Sequence, residues 1–168
     1  MTMDASPSIQ QLVDQLKLSP HPEGGFYRRI FAAPYLVSTP YGERPSATLI
    51  YYLLPRGGFS QWHRLRNDEI WLHLGGDCIH IYTIAPDGAL STQTIGSGLS
   101  RDAHAPGMTW LAAEPEPGSA GYTLVSCIVS PGFDFADFEL GDADELTPLY
   151  PKHFDLILRL SRSGSQGG

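Results

Sequence analysis

A chain of 168 residues has the length of one domain, and a single domain over 1–168 is expected. Its 18 glycines and 14 prolines exceed the roughly 12% that average composition gives these residues, which works against an all-helical fold, while 42% hydrophobic content excludes a disordered chain. A net charge of −7 with no Lys/Arg cluster excludes a phosphate-backbone binder, so no nucleic-acid partner is expected.

The leader MTMDASPSIQQ carries an acid and no basic apolar stretch, so no secretory signal is read and a cytoplasmic location is expected. Residues 8–18 read as a short helix. Ile9, Leu12, Val13 and Leu16 form one stripe, and Ser8 with Gln11 has capping-box spacing. Pro20, Pro22, Gly24 and Gly25 then stop any helix. From there to about residue 140 the texture is strand and turn. Strands are predicted at 26–31, 47–54, 58–63, 69–74, 78–85, 90–95, 108–112, 121–129 and 135–139, with turn chemistry between them, Pro86-Asp87-Gly88 included. Such spacing suits a sandwich or small barrel. A second helix is predicted over 151–160, with Phe154, Ile157 and Leu158 as its apolar stripe. About 8–160 form the ordered core, and 161–168 read as a flexible tail. No apolar run approaches the roughly 18 residues a membrane helix needs, so no membrane partner is expected. Cys78 and Cys127 are read as small buried hydrophobes rather than a disulfide.

The chemistry concentrates in 57–76, GGFSQWHRLRNDEIWLHLGG. Gly57, His63, Glu69 and Gly76 follow the spacing G-x5-H-x-H-x3-E-x6-G, with Leu65 where the second histidine would stand. This resembles the first motif of the cupins, small antiparallel barrels of the jelly-roll type. The resemblance implies an all-β double-stranded β-helix with short terminal helices, and ligands for a divalent metal inside the barrel. Only His63 and Glu69 remain as metal-ligand candidates, so the set is depleted. The second cupin motif is reduced to PGMTWLAAE at 106–114, with Trp110 about where a third histidine would lie. By strand alternation Phe59, Gln61 and His63 share one face, and Glu69, Trp71 and His73 share another. His73, however, lies roughly 13 Å beyond Glu69 at 3.3 Å per residue.

HPEGGFYRRIF, SATLIYYLL, FSQWHRLRNDEIW, PGMTW and LVSCIVSPGFDFADFEL together resemble one family of single-domain cupins of unknown function, over about 8–160. That resemblance implies a deep pocket like that of nucleotide-sugar epimerases, and a homodimer. Leu72 stands where that family usually has a histidine after the motif tryptophan.

His63 and Glu69 are therefore the candidate catalytic pair. A carboxylate on an inward face is costly unless paired, protonated or bound to a cation. Tyr51 is added as a proton donor, although alternation alone leaves Tyr51 and Tyr52 open as the inward tyrosine. Glu23, Arg28, Gln61, Trp71, His73 and Trp110 are the candidate substrate-binding residues. Arg28 is the expected inward arginine of the Arg28-Arg29 pair, suited to clamp a carboxylate or phosphate or to pair with Glu69. The function expected is a small-molecule-binding cupin of isomerase or epimerase type, acting on a sugar-like or carboxylated metabolite through His63 as acid/base. The alternatives are a metal-dependent oxygenase or lyase and a non-catalytic binding module.

Overall fold

Ser8 caps the first helix as its spacing predicts. In the computed structural model, which describes residues 7–162, its hydroxyl accepts from Gln11 N, and the Gln11 side chain accepts from Ser8 N. Helix α1 (Ile9–Leu16) ends at Lys17, whose φ of 54° reverses the chain. Of the predicted tail, 163–168 lie outside the described residues.

Among the described residues, thirteen strands follow: β1 (Ser19–Pro20), β2 (Phe26–Ala32), β3 (Leu36–Thr39), β4 (Gly42–Pro45), β5 (Thr48–Pro55), β6 (Ser60–Leu65), β7 (Asp68–Gly76), β8 (Ile79–Ile84), β9 (Leu90–Ile95), β10 (Asp102–Ala105), β11 (Trp110–Pro115), β12 (Tyr122–Ser130) and β13 (Phe138–Leu140). They pair antiparallel into a six-stranded sheet, β1-β2-β5-β12-β7-β10, a five-stranded sheet, β13-β6-β11-β8-β9, and the separate hairpin β3-β4. This is the all-β jelly roll that the cupin resemblance implies.

Alternation along β5 shows how the layers form. Tyr52 and Leu54 enter the core between the two sheets with Trp71, Ile81, Leu111 and Val125. Leu53, on the opposite face, packs under α1 with Leu12, Leu18 and Tyr122. The outer face of the five-stranded sheet is covered by α2 (Ala143–Leu149) and α3 (Phe154–Arg159), where Trp62, Ile84 and Trp110 meet Leu146, Ile157 and Leu160. Cys78 and Cys127 are both free thiols, and Cys127 is buried. No helix among the described residues is long and apolar enough to cross a membrane.

Several expectations change. The hairpin β3-β4 and strand β10 join the predicted strands, and α2 forms despite Pro148, capped at Asp142 by a hydrogen bond from Asp144 N. The strand predicted at 135–139 begins as a 3-10 turn, Phe135–Asp137, because Asp134 caps Ala136 N, and only then becomes β13. The helix predicted at 151–160 begins as a 3-10 turn, Pro151–His153, which rotates its stripe: Ile157 and Leu160 are buried, whereas Phe154 and Leu158 are exposed.

Candidate functional site

The site is built at one end of the sandwich by β2, β5, β6, β7 and β12 and by the 21–25 turn. That turn needs its glycines. Gly24 and Gly25 have φ of 115° and 68°, and a Cβ at Gly24 would strike the Phe59 carbonyl oxygen. His21 N donates to Gly25 O and Gly24 N to His21 O, both at 3.0 Å. Tyr52, deep in the core, donates its hydroxyl to Gly24 O at 2.8 Å. The turn thereby drives Glu23 inward, where its carboxylate accepts from Ser60 Oγ at 2.9 Å.

A β-bulge orients β6. Leu111 pairs with His63, yet Ala113 pairs with Ser60, so β6 carries one extra residue there. Ser60 and His63 consequently both point inward, with Leu65 beyond them. The Gln61 side chain instead leaves the cavity and donates to Gly141 O, which corrects its expected inward place. Its backbone carbonyl serves the site, lying 2.8 Å from His63 Nδ1.

His63 is 1% exposed and sits between two carboxylates. Glu23 Oε2 is 3.3 Å from Nδ1, and Glu69 Oε2 is 3.9 Å from Nε2. A carbonyl only accepts, so Nδ1 carries a proton and donates to Gln61 O. Nε2 is left facing Glu69. Burial pulls the imidazole pKa down, but the Glu23 and Glu69 carboxylates and the Gln61 carbonyl outweigh it and hold it at about 9. Phe138 stacks on the ring at 5.7 Å between centroids. Burial raises the pKa of Glu23, opposed by His63. Glu69 Oε2 is fully buried and makes no hydrogen bond within the described residues.

His21 is the complement of His63. Its Nδ1 accepts from Glu23 N at 3.2 Å, so that nitrogen carries no proton and the 3.8 Å approach of Glu23 Oε2 is no ion pair. Burial and the neighbouring His63 lower its pKa to about 3. The ring is caged by Tyr27, Tyr52, Phe135 and Phe138. At neutral pH His21 is thus a neutral imidazole with its proton on Nε2.

The cavity is narrow, with about 30 Å³ of free space, opens to solvent at its mouth, and is lined by His21, Glu23, Tyr27, Arg29, Thr48, Ile50, His63, Leu65, Glu69, Cys127, Val129 and Phe133. Burial, then the Glu69 and Glu23 carboxylates, keep the Cys127 thiol protonated. Of the sequence candidates, His63, Glu69 and Glu23 meet here. Arg28 and Tyr51 do not. They are register partners on the outer face of the six-stranded sheet, with the Arg28 guanidinium over the Tyr51 ring. Arg29 and Tyr52 take the inner face. Trp71 packs against Tyr52 in the core rather than lining the cavity. Trp110 faces the C-terminal helices, under the Arg64 guanidinium, because its neighbour Leu111 takes the inward position opposite His63. His73 lies at the far end of β7, with Nε2 3.1 Å from Asp77 O, consistent with the distance its strand position implies. His21, Arg29, Cys127 and Phe133 escaped sequence reasoning. Cys127 shares its strand face with Val125 and Val129, a signal open to alternation, whereas His21 lies in an irregular turn and has no periodicity.

The donor set does not fit a transition metal. Among the described residues, no three His, Cys, Asp or Glu side chains are arranged to hold one. His63 Nε2 and Glu69 supply two donors, Leu65 fills the place of a third, and His21 Nδ1 is occupied by Glu23 N.

A family model described as Cupin superfamily (DUF985) matches residues 10–141. An uncharacterized protein of Saccharomyces cerevisiae is 30% identical over 162 residues, covering 84% of this chain and 80% of that protein. A hypothetical protein from Leishmania major superposes with a TM-score of 0.87 at 31% identity, over 94% of this chain and 100% of that one. A protein from Shewanella oneidensis does so at 0.85 and 34% identity, over 94% and 99%. A cupin 2 conserved barrel domain protein from Rhodopseudomonas palustris, 18% identical with a TM-score of 0.56 over 84% of this chain and 81% of that one, shares the fold alone.

Proposed function

From the premise that this chain belongs to the DUF985 family of the cupin superfamily, we propose that it binds a small carbonyl compound in the barrel and catalyses proton transfer on it, as an isomerase or epimerase. The observation that carries this reading is the buried Glu69 Oε2, which lacks a hydrogen-bond partner within the described residues and lies 3.9 Å from His63 Nε2. An unpaired buried carboxylate oxygen is expensive, and such costs persist where chemistry uses them. The gap exceeds a hydrogen bond and leaves both groups directed at the same space.

Glu69 then takes a proton from a carbon beside a carbonyl. The C–H electron pair moves into the new C=C bond and the carbonyl pair onto oxygen. His63, held as an imidazolium by Glu23 and Gln61, gives its Nε2 proton to that oxygen. Neutral His21 offers its Nε2–H as a further donor to the developing negative charge. In isomerisation the hydroxyl on the carbon that lost the proton gives its own proton to His63, while Glu69 delivers its proton to the former carbonyl carbon. In epimerisation the enol hydroxyl returns its proton to His63, while water at the cavity mouth protonates the opposite face of the same carbon and the base formed recovers the Glu69 proton. Nothing in this sequence of steps draws on a metal. The homodimer implied by the family resemblance belongs to the same reading, and light scattering of the purified chain tests it.

The test is solvent exchange. A panel of small aldoses, ketoses and hydroxy-carbonyl acids is incubated with the protein in D₂O, and loss of C–H signal is followed by NMR. Exchange by the wild type is expected, with a loss of about 10²–10⁴-fold in His63→Gln and Glu69→Gln, while both variants still bind the compound. A compound that binds the wild type tightly without exchange overturns catalysis and leaves a binding module.

A further inference from the structure

Arg28 and Arg29 are consecutive on β2, and the bulge between Arg29 and Phe31 disturbs the alternation beside them. Beyond Tyr27 the edge of β2 is unpaired, and there Arg28 from one face and Arg29 from the other line an open cleft of about 400 Å³ with Ser19, Tyr27 and Phe135. Tyr27 and Arg29 also line the inner cavity. Cleft and cavity therefore share a wall.

The charge on this wall is unusual for the chain. The protein carries −7 overall, yet no carboxylate lines the cleft. Neither guanidinium has an ion-pair partner within 4.0 Å among the described residues. Arg29 Nη2 donates to Phe133 O at 3.1 Å, and Arg28 Nε is buried with no hydrogen-bond partner among the described residues. The Arg28 guanidinium lies over the Tyr51 ring and the Arg29 guanidinium over the Phe133 ring, and each carries forked N–H donors that match the oxygens of a carboxylate or phosphate. Half-exposed Phe135 adds an apolar wall beside them.

We propose that this cleft is an outer subsite for an oxyanion group, so that the ligand is a phosphorylated or carboxylated compound whose neutral end enters the cavity toward His63. This rests on reading the cavity as a ligand chamber, and its test is independent of catalysis.

The full chain is titrated with inorganic pyrophosphate by calorimetry at low ionic strength, with inorganic phosphate and acetate as competitors. Arg28→Gln/Arg29→Gln is expected to lose affinity at least about tenfold, the loss of one charge-assisted hydrogen bond or more. Arg56→Gln, an exposed arginine outside the cleft, is expected to bind as the wild type does. Competition by phosphate assigns the subsite to a phosphate group, and competition by acetate to a carboxylate; either supports the proposal. Equal affinity in the double variant and the wild type, or an equal loss in Arg56→Gln, overturns it. Arg29→Lys, which keeps the charge and removes the fork, is expected to weaken binding as well, and it holds the test open if the double variant does not fold. If proton exchange fails while pyrophosphate binding still depends on these arginines, the catalytic reading falls and this one stands.

Discussion

Glu23 Oε2 lies 3.3 Å from His63 Nδ1, a contact between an irregular turn and a strand of the other sheet. Of the contacts that hold the His63 pKa up it is the strongest, ahead of those with Glu69 and the Gln61 carbonyl. Glu23→Gln removes the nearest carboxylate while keeping the shape. The His63 titration midpoint is then expected to move down from about 9, as read by NMR of the imidazole signals. An unmoved midpoint shows that Glu23 does not govern the histidine.

The two histidines predict opposite limbs of a stability profile. The folded pKa of His63, about 9, lies above its ordinary 6.5. Its contribution is full below pH 6.5 and is lost as pH rises through 9. The folded pKa of His21, about 3, lies below 6.5. Its stabilising effect is present above pH 6.5, and stability falls as pH drops toward 3, because only the unfolded state takes up that proton. Thermal unfolding across pH is expected to show a flatter alkaline limb in His63→Gln and a flatter acidic limb in His21→Gln. Parallel profiles in all three proteins contradict the assignment.

Adjacent tyrosines on β5 are expected to behave differently. The Tyr52 hydroxyl donates to Gly24 O inside the core. Tyr52→Phe removes that bond and is expected to cost about 1 kcal/mol, loosening the turn that presents Glu23. Tyr51 packs outside near α1, and Tyr51→Phe is expected to stay within about 0.5 kcal/mol of wild type. Urea unfolding of both variants checks the contrast.

Leu65 lines the cavity beside His63 and Glu69. Leu65→His supplies the third donor that the chain lacks, and the variant is expected to bind Ni²⁺ or Zn²⁺ more tightly than the wild type by calorimetric titration. Equal affinity in the two proteins shows that position 65 does not complete a ligand set.

The strand periodicity and turn chemistry of 47–54, 69–74 and 121–129 made the sheets legible, because a period of two survives any tertiary arrangement. The spacing of His63 and Glu69 was legible for the same reason, since strand–turn–strand geometry ties them together. Hairpin β3-β4 and helix α2 were not legible. The former is short, with its strands mostly exposed, and the latter contains Pro148, so neither has a clean apolar pattern.

The sequence by itself determined a β-rich chain with a histidine and a carboxylate on adjoining strands. It did not determine which of Arg28 and Arg29, or of Tyr51 and Tyr52, faces the cavity. Alternation assigns neighbours to opposite faces but does not say which face the other sheet covers. Nor did it place Ser60 inward and Gln61 outward, because one bulged residue inverts the phase of everything before it. The tertiary structure decided both, and it alone carried His21 and Glu23 from a distant turn to His63, since contacts between segments far apart in the chain leave no trace in local spacing.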